Sequence, residues 1–426
     1  VININYFADD GFVLWINGKE VERHNFIGEP SIEAKASRSG TEGKLHEITV
    51  NNPGAFLIEG INTIAVQLFN SSTNNSDLGF DIEIVRPKLD EAIYTPSPGS
   101  RNTAFSSNAP PNIRKVKHFP KVPSSDDPVV ISAKVTDLDG VGSVTLEYCV
   151  VSAGSYVPAK LPHPVPNIPV NSPQLENPKY EEGWVSVLMN DKGEGGDLQA
   201  SDDVYSVTLP VNKHRTLVRY RIIVEDVVGK RARAPFSDDP SLNFAYFTYN
   251  GIPSYEGEGA SALESLPVYH LLTRQNDYAD CFAYNGSKQI SQGTQARFYY
   301  NWHGTMFYDG IVYDNIRYRL RGANGRYHNR GKRSMRLRFN NGSYFQSRDY
   351  TGKKYPREWR TLTIGKGFDN RGTLTYGLNE AVSLYLFNKI GVPGPRTHWV
   401  HWRVIDDEEE SPDKWRGDFH GFNFIL

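Results

Sequence analysis

Cysteine is almost absent: the chain has two, Cys149 and Cys281, far apart in regions of different style. That excludes a disulfide framework and leaves the redox compartment unread. Net charge is also missing. With 47 Lys and Arg against 49 Asp and Glu, the formal charge is -2, so any anion site must be local and general nucleic-acid binding is excluded. No apolar run reaches membrane-spanning length and no signal peptide is apparent. The chain opens without Met in a strand-like stretch and stops in another, "GFNFIL", so it reads as a fragment of a longer protein. The first 250 residues lack any convincing helical period.

What is present is glycine (37), proline (26) and 12% aromatics, a composition that suits a strand-rich protein with many turns. Residues 1–88 alternate apolar and polar side chains between turn signals, as in "FVLWINGKEVER", "NTIAVQLFN" and "LGFDIEIV". Asn17-Gly18 predicts a tight hairpin, because both central positions of a type I′ turn need positive φ. The region is expected to be an antiparallel β-sandwich. Residues 89–111 turn to Pro, Ser, Asn and Gly, a linker. Residues 112–250 resume the β style ("VVISAKVTD", "GSVTLEYCVV", "TLVRYRIIVED") and predict an Ig-like or fibronectin-like sandwich. Its Pro-rich insert "YVPAKLPHPVPNIPVNSP" is expected as an extended surface loop, since proline donates no ladder hydrogen bond. A second linker covers 251–264.

Residues 265–426 change style again and predict an α+β region. "LNEAVSLYLFNKIG" has Leu378, Val382, Tyr385, Leu386 and Ile390 at helical spacing, stopped by Gly391 and Pro393. Before it, Arg317 to Phe339 holds nine Lys or Arg and no acid. Strand alternation puts Arg317, Arg319 and Arg321 on one face, and Lys332, Ser334, Arg336 and Arg338 on one face of the next strand. Such a face either binds an anion or is simply solvated; phosphate binding uses bidentate arginines and point-charge lysines.

Other candidates are weaker. "MNDKGEGGDLQASDDVYS" sets Asp191, Glu194, Asp197, Asp202 and Asp203 in a glycine-rich loop. Asp191, Asp197 and Asp202 are candidate ligands for weakly held calcium, but the spacing is not that of an EF-hand, and an exposed, solvated acidic turn is the other reading. "DLDG" reads as a plain turn. "YFADDG" and "SSTNNSD" suit either the rim of a carbohydrate site or the needs of the fold. The scattered histidines lack the close pairing of a helical zinc site, and no Ser-His-Asp order is supported.

The run "VYDNIRYRLRGANGRYHNRGKRSMRLRF", the helix ending "NKIGVPGPRTHWVHWRV" and the closing "GDFHGFNFIL" together resemble the spore coat protein H (CotH) kinase family, over about residues 265–426. The resemblance implies an atypical protein-kinase-like fold, use of ATP and magnesium, and phosphorylation of secreted or surface proteins. It implies that Arg321 and Gly322 shape a phosphate turn and that Lys332 contacts phosphate. It implies that Glu380 orients Lys332, although an acid in the first helical turn is also placed to meet the helix dipole. The family's metal-binding and catalytic acids lie beyond its G-aromatic-G segment, so they are expected past Leu426 and this chain is expected to be inactive alone. Residues 1–88 are similar to galactose-binding-like modules, and 112–250 to the Ig-like spacers of bacterial surface proteins. An extracellular or cell-surface location follows from these resemblances, with a protein substrate or surface polymer as partner. The competing expectation is a non-enzymatic adhesion or carbohydrate-binding protein with a degenerate kinase-like domain.

Overall fold

The computed structural model describes residues 2–38, 46–74, 79–85, 99, 106–164, 173–254, 265–283, 299–321, 334–349, 351–365, 378–410 and 418–425. The protein is β-rich and multidomain, and its contacts divide it into two units, Val1–Ser106 and Ser107–Leu426.

The first unit holds β1 (Ile2–Ala8), β2 (Gly11–Ile16), β3 (Lys19–His24), β4 (His46–Val50), β5 (Ile64–Phe69) and β6 (Phe80–Val85). They form two three-stranded sheets, β4-β1-β6 and β3-β2-β5, paired antiparallel throughout. Alternation in β1 sends Ile2, Ile4, Tyr6 and Ala8 inward to meet Phe12, Leu14 and Ile16 of the other sheet. Val13 faces the opposite way, into a smaller cluster with Phe26, Ala36 and Phe69, and Trp15 packs beside it. Asn17 (φ 51°) and Gly18 (φ 76°) close the β2–β3 hairpin as expected, with Ile16 opposite Lys19. The Asp-Asp-Gly corner belongs to the fold rather than to an open rim. Asp9 and Asp10 are buried, and the Asp10 carboxylate accepts the Ser71 N–H at 2.7 Å.

The second unit begins with a sandwich of β7 (Asn112–Phe119), β8 (Val129–Thr136), β9 (Val141–Val151), β10 (Val185–Leu188), β11 (Val204–Leu209), β12 (Thr216–Asp226), β13 (Arg231–Ala234) and β14 (Phe244–Thr248). One sheet runs β11-β8-β7; the other runs β10-β9-β12-β13, with β14 also paired to β12. Ile131, Val135, Leu146, Ile222 and Val224 are fully buried between them. Neither sandwich contains an α-helix among the described residues, in keeping with the sequence.

The strands that follow, β15 (Val268–Leu272), β16 (Trp302–Tyr308), β17 (Ile311–Leu320), β18 (Met335–Arg338), β19 (Thr361–Gly365), β20 (His398–Ile405) and β21 (Phe419–Ile425), close into a barrel in the order β15-β16-β17-β18-β19-β21-β20. Every pairing is antiparallel except β15 with β20, which is parallel and closes the ring. The inner row Trp302, Tyr318, Leu337 and Leu362 runs across four neighbouring strands at matched register and is buried. Helix α1 (Gln275–Ala283) packs on β16 and β17.

Helix α2 (Leu378–Lys389) forms where the spacing predicts it, but not as a core helix. Leu378, Val382, Tyr385, Leu386 and Ile390 are all exposed, and no α2 residue is buried. Apolar groups also occupy its other faces, at Leu384 and Phe387, and leave Asn379, Glu380 and Ser383 as only a narrow polar strip.

The sandwich and the barrel share one interior instead of being joined only by a linker. Val151, Leu217 and Phe247 of the sandwich pack against Leu272, Phe307 and Ile405 of the barrel. Arg219 of β12 forms a two-bonded ion pair with Asp314 of β17, at 2.9 and 3.0 Å. Arg215 reaches Asp418 at 2.6 Å, beside Arg403 and Glu410. The Pro-rich insert corrects a sequence expectation at its start, which is not a surface loop. Tyr156 and Ala159 are buried, and the Val157 carbonyl accepts Arg219 Nη1 at 2.8 Å. Proline keeps this stretch out of a sheet, but its carbonyls still serve buried donors.

Candidate functional site

The positive charge of the barrel lies on the outer face of β16–β19. Because β17 and β18 pair antiparallel, Arg317 stands opposite Arg338 and Arg319 opposite Arg336. The rows continue onto β19 as Thr361 and Thr363, with Arg336 Nε 3.4 Å from the Thr363 hydroxyl. On the β16 side the neighbour of Arg317 is His303. The alternation that buries Tyr318 and Leu337 forces the arginines together on the other face. Like charges directly opposite each other destabilise a sheet, so the fold carries this arrangement at a cost.

Aromatic side chains moderate that cost. The guanidinium carbons of Arg319 and Arg338 lie 5.0 and 5.5 Å from the centre of the same Tyr300 ring. Burial, with Arg338 and Arg360 nearby, holds the Arg317 guanidinium below the usual arginine range. Burial also pushes His303 down to about 3, with Arg317 and Lys160 acting in the same direction, so its ring is neutral and shares a 2.7 Å hydrogen bond with Gln174. No carboxylate pairs with Arg317, Arg336 or Arg338 among the described residues; Arg319 is buried, so the accessible cations of the face are the half-buried Arg317, Arg336 and Arg338. Such a surface suits phosphate or another polyanion.

Arg321 lies just past β17, half-buried, and its N–H donates to the Ser334 carbonyl at 2.9 Å, which extends the β17–β18 ladder. Gly322, Lys332 and the 323–331 loop lie outside the described residues. Glu380 is exposed in the first turn of α2, and its expected partner Lys332 is likewise outside them. Tyr300, Thr363 and Arg360 escaped the sequence reading. Their only signal is position on strands or segments that pair with the basic run, which requires the register to be known.

The acidic loop brings Asp191, Asp197 and Asp202 together, with carboxylate oxygens within 4.8 Å of one another. The expectation of an exposed loop is corrected at Asp197, which is buried and accepts the Gly193 N–H at 2.7 Å. Asp191 accepts the N–H groups of Asp202 and Asp203 at 3.2 and 3.0 Å. Gly193, Gly195 and Gly196 all take positive φ, and this lets the backbone fold around its own carboxylates.

A β-rich multidomain protein with one cationic barrel face is the class these features define. No family model matches the chain, and no curated protein matches it. Among solved structures, the α-L-rhamnosidase of Streptomyces avermitilis complexed with L-rhamnose is similar over 84% of this chain and 37% of that chain, at 11% identity and a TM-score of 0.14. The chain therefore spans little more than a third of that enzyme's length, and a likeness this low fixes neither fold nor chemistry. Among the described residues no helix is long and apolar enough to cross a membrane.

Proposed function

We propose that the arginine face is part of the phosphate-binding surface of a CotH-type kinase-like domain, in a secreted or cell-surface protein that transfers the ATP γ-phosphate to hydroxyls of protein partners. The observation that carries this reading is the pairing of Arg317 with Arg338, with Arg336 beside them on the same strand face. A sheet that sets arginine against arginine gains when a polyanion neutralises both. Arg321, Gly322 and Lys332 are assigned to the phosphates, and Glu380 to orienting Lys332. Magnesium bound with the nucleotide would supply charge neutralisation for such a transfer. No residue of this chain is assigned as catalytic base.

The test is nucleotide binding rather than turnover. ATP with magnesium should bind weakly, with affinity falling as salt rises, because partly exposed charges are screened. Arg336→Ala and Lys332→Ala should each weaken binding by about tenfold, whereas Lys19→Ala in the first unit should change nothing. Equal behaviour of Lys332→Ala and Lys19→Ala would remove Lys332 from the site. Retained binding of dextran sulfate with no measurable ATP binding would favour the non-enzymatic surface-binding reading instead.

Calcium at Asp191, Asp197 and Asp202 is a separate proposal, supported by three hard oxygen donors in one loop. Backbone donors already occupy part of these carboxylates, so calorimetry should find a dissociation constant of about 0.1–1 mM, as in extracellular modules, lost in Asp197→Ala. Sub-micromolar affinity would show that the loop is a dedicated calcium site.

A further inference from the structure

A second basic surface lies on the sandwich side of the second unit, where the sequence shows only an ordinary strand. A cleft of about 840 Å³ opens between β7, the β13–β14 connection and the β16–β17 turn. Its volume is in the range of ligand-binding clefts. One wall is β7 and the segment after it, which contribute Arg114, Lys115, Lys117 and Lys121. The opposite wall contributes Pro235 and Phe236 from the β13–β14 connection and Ile311 and Val312 from β17.

The charge here is uncompensated. None of the four cations makes an ion pair among the described residues: Arg114 donates to the Thr136 hydroxyl at 3.0 Å and Lys121 to the Asp309 carbonyl at 3.1 Å. Two acids line the cleft, Asp239 and Asp314. Asp314 is already neutralised by Arg219, which among the described residues of the lining leaves four cations with Asp239 as their one other acid. Meanwhile Phe236 is 68% exposed at the edge of this basic wall.

Lysines and a bulge on an edge strand commonly serve only to block edge-to-edge aggregation. β7 is such an edge: it pairs with β8 alone, and its register jumps between Arg114 and Lys117, with Lys115 at φ 51°. That role requires charges facing open solvent. Here the same residues, although exposed, border a cleft whose other side carries Pro235 and Phe236 of the sandwich and Ile311 and Val312 of the barrel, so they face more than open solvent. The broken register also argues against strand addition, since the β7 ladder is interrupted, and places recognition on the side chains.

We propose that this cleft binds an extended acidic peptide segment that carries at least one apolar side chain. Carboxylates would meet Lys115, Lys117 and Arg114, while the apolar side chain would cover Phe236 and Ile311. A glycan fits less well. The neutral hydrogen-bonding side chains in the lining are few, and Asn243 is committed to Asp314 and to Tyr180.

The test uses the full chain and three probes: a fluorescein-labelled decapeptide of alternating Glu and Leu, its Lys–Leu counterpart, and an alginate oligosaccharide. The Glu–Leu peptide should bind, and binding should weaken as salt rises. The double variant Lys115→Glu, Lys117→Glu should lose about tenfold or more in affinity, and Phe236→Ala several-fold. Lys213→Glu, an exposed lysine outside the cleft, should leave binding unchanged. All these positions are exposed, so the variants should fold. Equal binding of the Lys–Leu peptide, or unchanged affinity in the double variant, would overturn the proposal. So would an alginate oligosaccharide that binds where the Glu–Leu peptide does not.

Discussion

Replacing Asp314 with alanine is expected to destabilise the Ser107–Leu426 unit by about 3–5 kcal/mol, because it leaves a buried arginine without its counter-ion. The side chain of Arg219 is 2% exposed and that of Asp314 is 7% exposed. Arg219 donates through Nε and Nη2 to the two Asp314 oxygens, and its guanidinium lies 4.7 Å from the centre of Tyr180 and 5.1 Å from that of Tyr156. Asp314 also accepts from Asn243 Nδ2 at 2.5 Å and from the Thr305 hydroxyl. The alanine variant therefore removes the acceptor shared by Arg219, Asn243 and Thr305, and the longer bonds from Asn315 and Tyr180 with it. Urea unfolding followed by tryptophan fluorescence reads this unit almost alone, since six of the seven tryptophans lie beyond residue 107. The double variant Arg219→Met, Asp314→Leu removes charge from both sides and should recover only the part of the loss that comes from the stranded arginine, because Asn243 and Thr305 still lack their acceptor. A loss below about 1 kcal/mol for Asp314→Ala would mean that water reaches Arg219 and the pair is not a latch.

Asp314 shows where the sequence stops being legible. In "VYDNIRY" alternation puts Tyr313 and Asp314 on opposite faces, so an acid there reads as solvent-facing. Its partner Arg219 is 95 residues away, and each looks like an ordinary outer-face charge on its own strand. Alternation tells which side chains share a face, not what lies against that face. The Asn17-Gly18 hairpin, the absence of α-helices among the described residues of both sandwiches, and the shared strand face of Arg317 with Arg319 and of Arg336 with Arg338 depend on neighbours close in sequence, and they could be read. The parallel closure of β15 on β20, the burial of Tyr156 in a proline-rich insert and the fusion of sandwich and barrel into one unit depend on distant packing, and they could not. Helix α2 falls between these cases. Local propensity placed it, but its apolar spacing carried no information about a partner, and among the described residues its apolar groups stay exposed.

Acidification should destabilise the second unit between pH 6.5 and 4.5, through histidines that the fold keeps neutral. Burial pushes His398 down to about 4 and His303 down to about 3, and it holds His270 well below its ordinary value. His270 sits against the rings of Phe247, Tyr249 and Phe307, and His398 is 3.2 Å from the Tyr269 hydroxyl. A histidine depressed by folding binds its proton first in the unfolded chain, so stability rises with pH across this window and is lost as pH falls. For His398 the loss at pH 4.5 is about 2.5 kcal/mol, and for His303 it is similar. Asp418 and Asp406 act in the opposite sense. Burial raises each to about 6, so the folded state takes up their protons earlier, and acidification from 6 towards 4 favours folding at these two sites. Arg215 and Arg403 against Asp418 limit that gain, and Glu410, held below its ordinary value between His214 and Arg403, loses its contribution in acid. With His118 also lowered by burial, four histidines stand against three raised acids, Asp277, Asp406 and Asp418, so the net effect is a loss of stability. The urea midpoint should therefore fall steadily from pH 7 to pH 4.5, and His398→Gln should remove about 2.5 kcal/mol of that pH dependence whatever it does to stability at pH 7. A midpoint that is flat or rises on acidification would show that the aspartates outweigh the histidines, and that these imidazoles reach solvent when protonated.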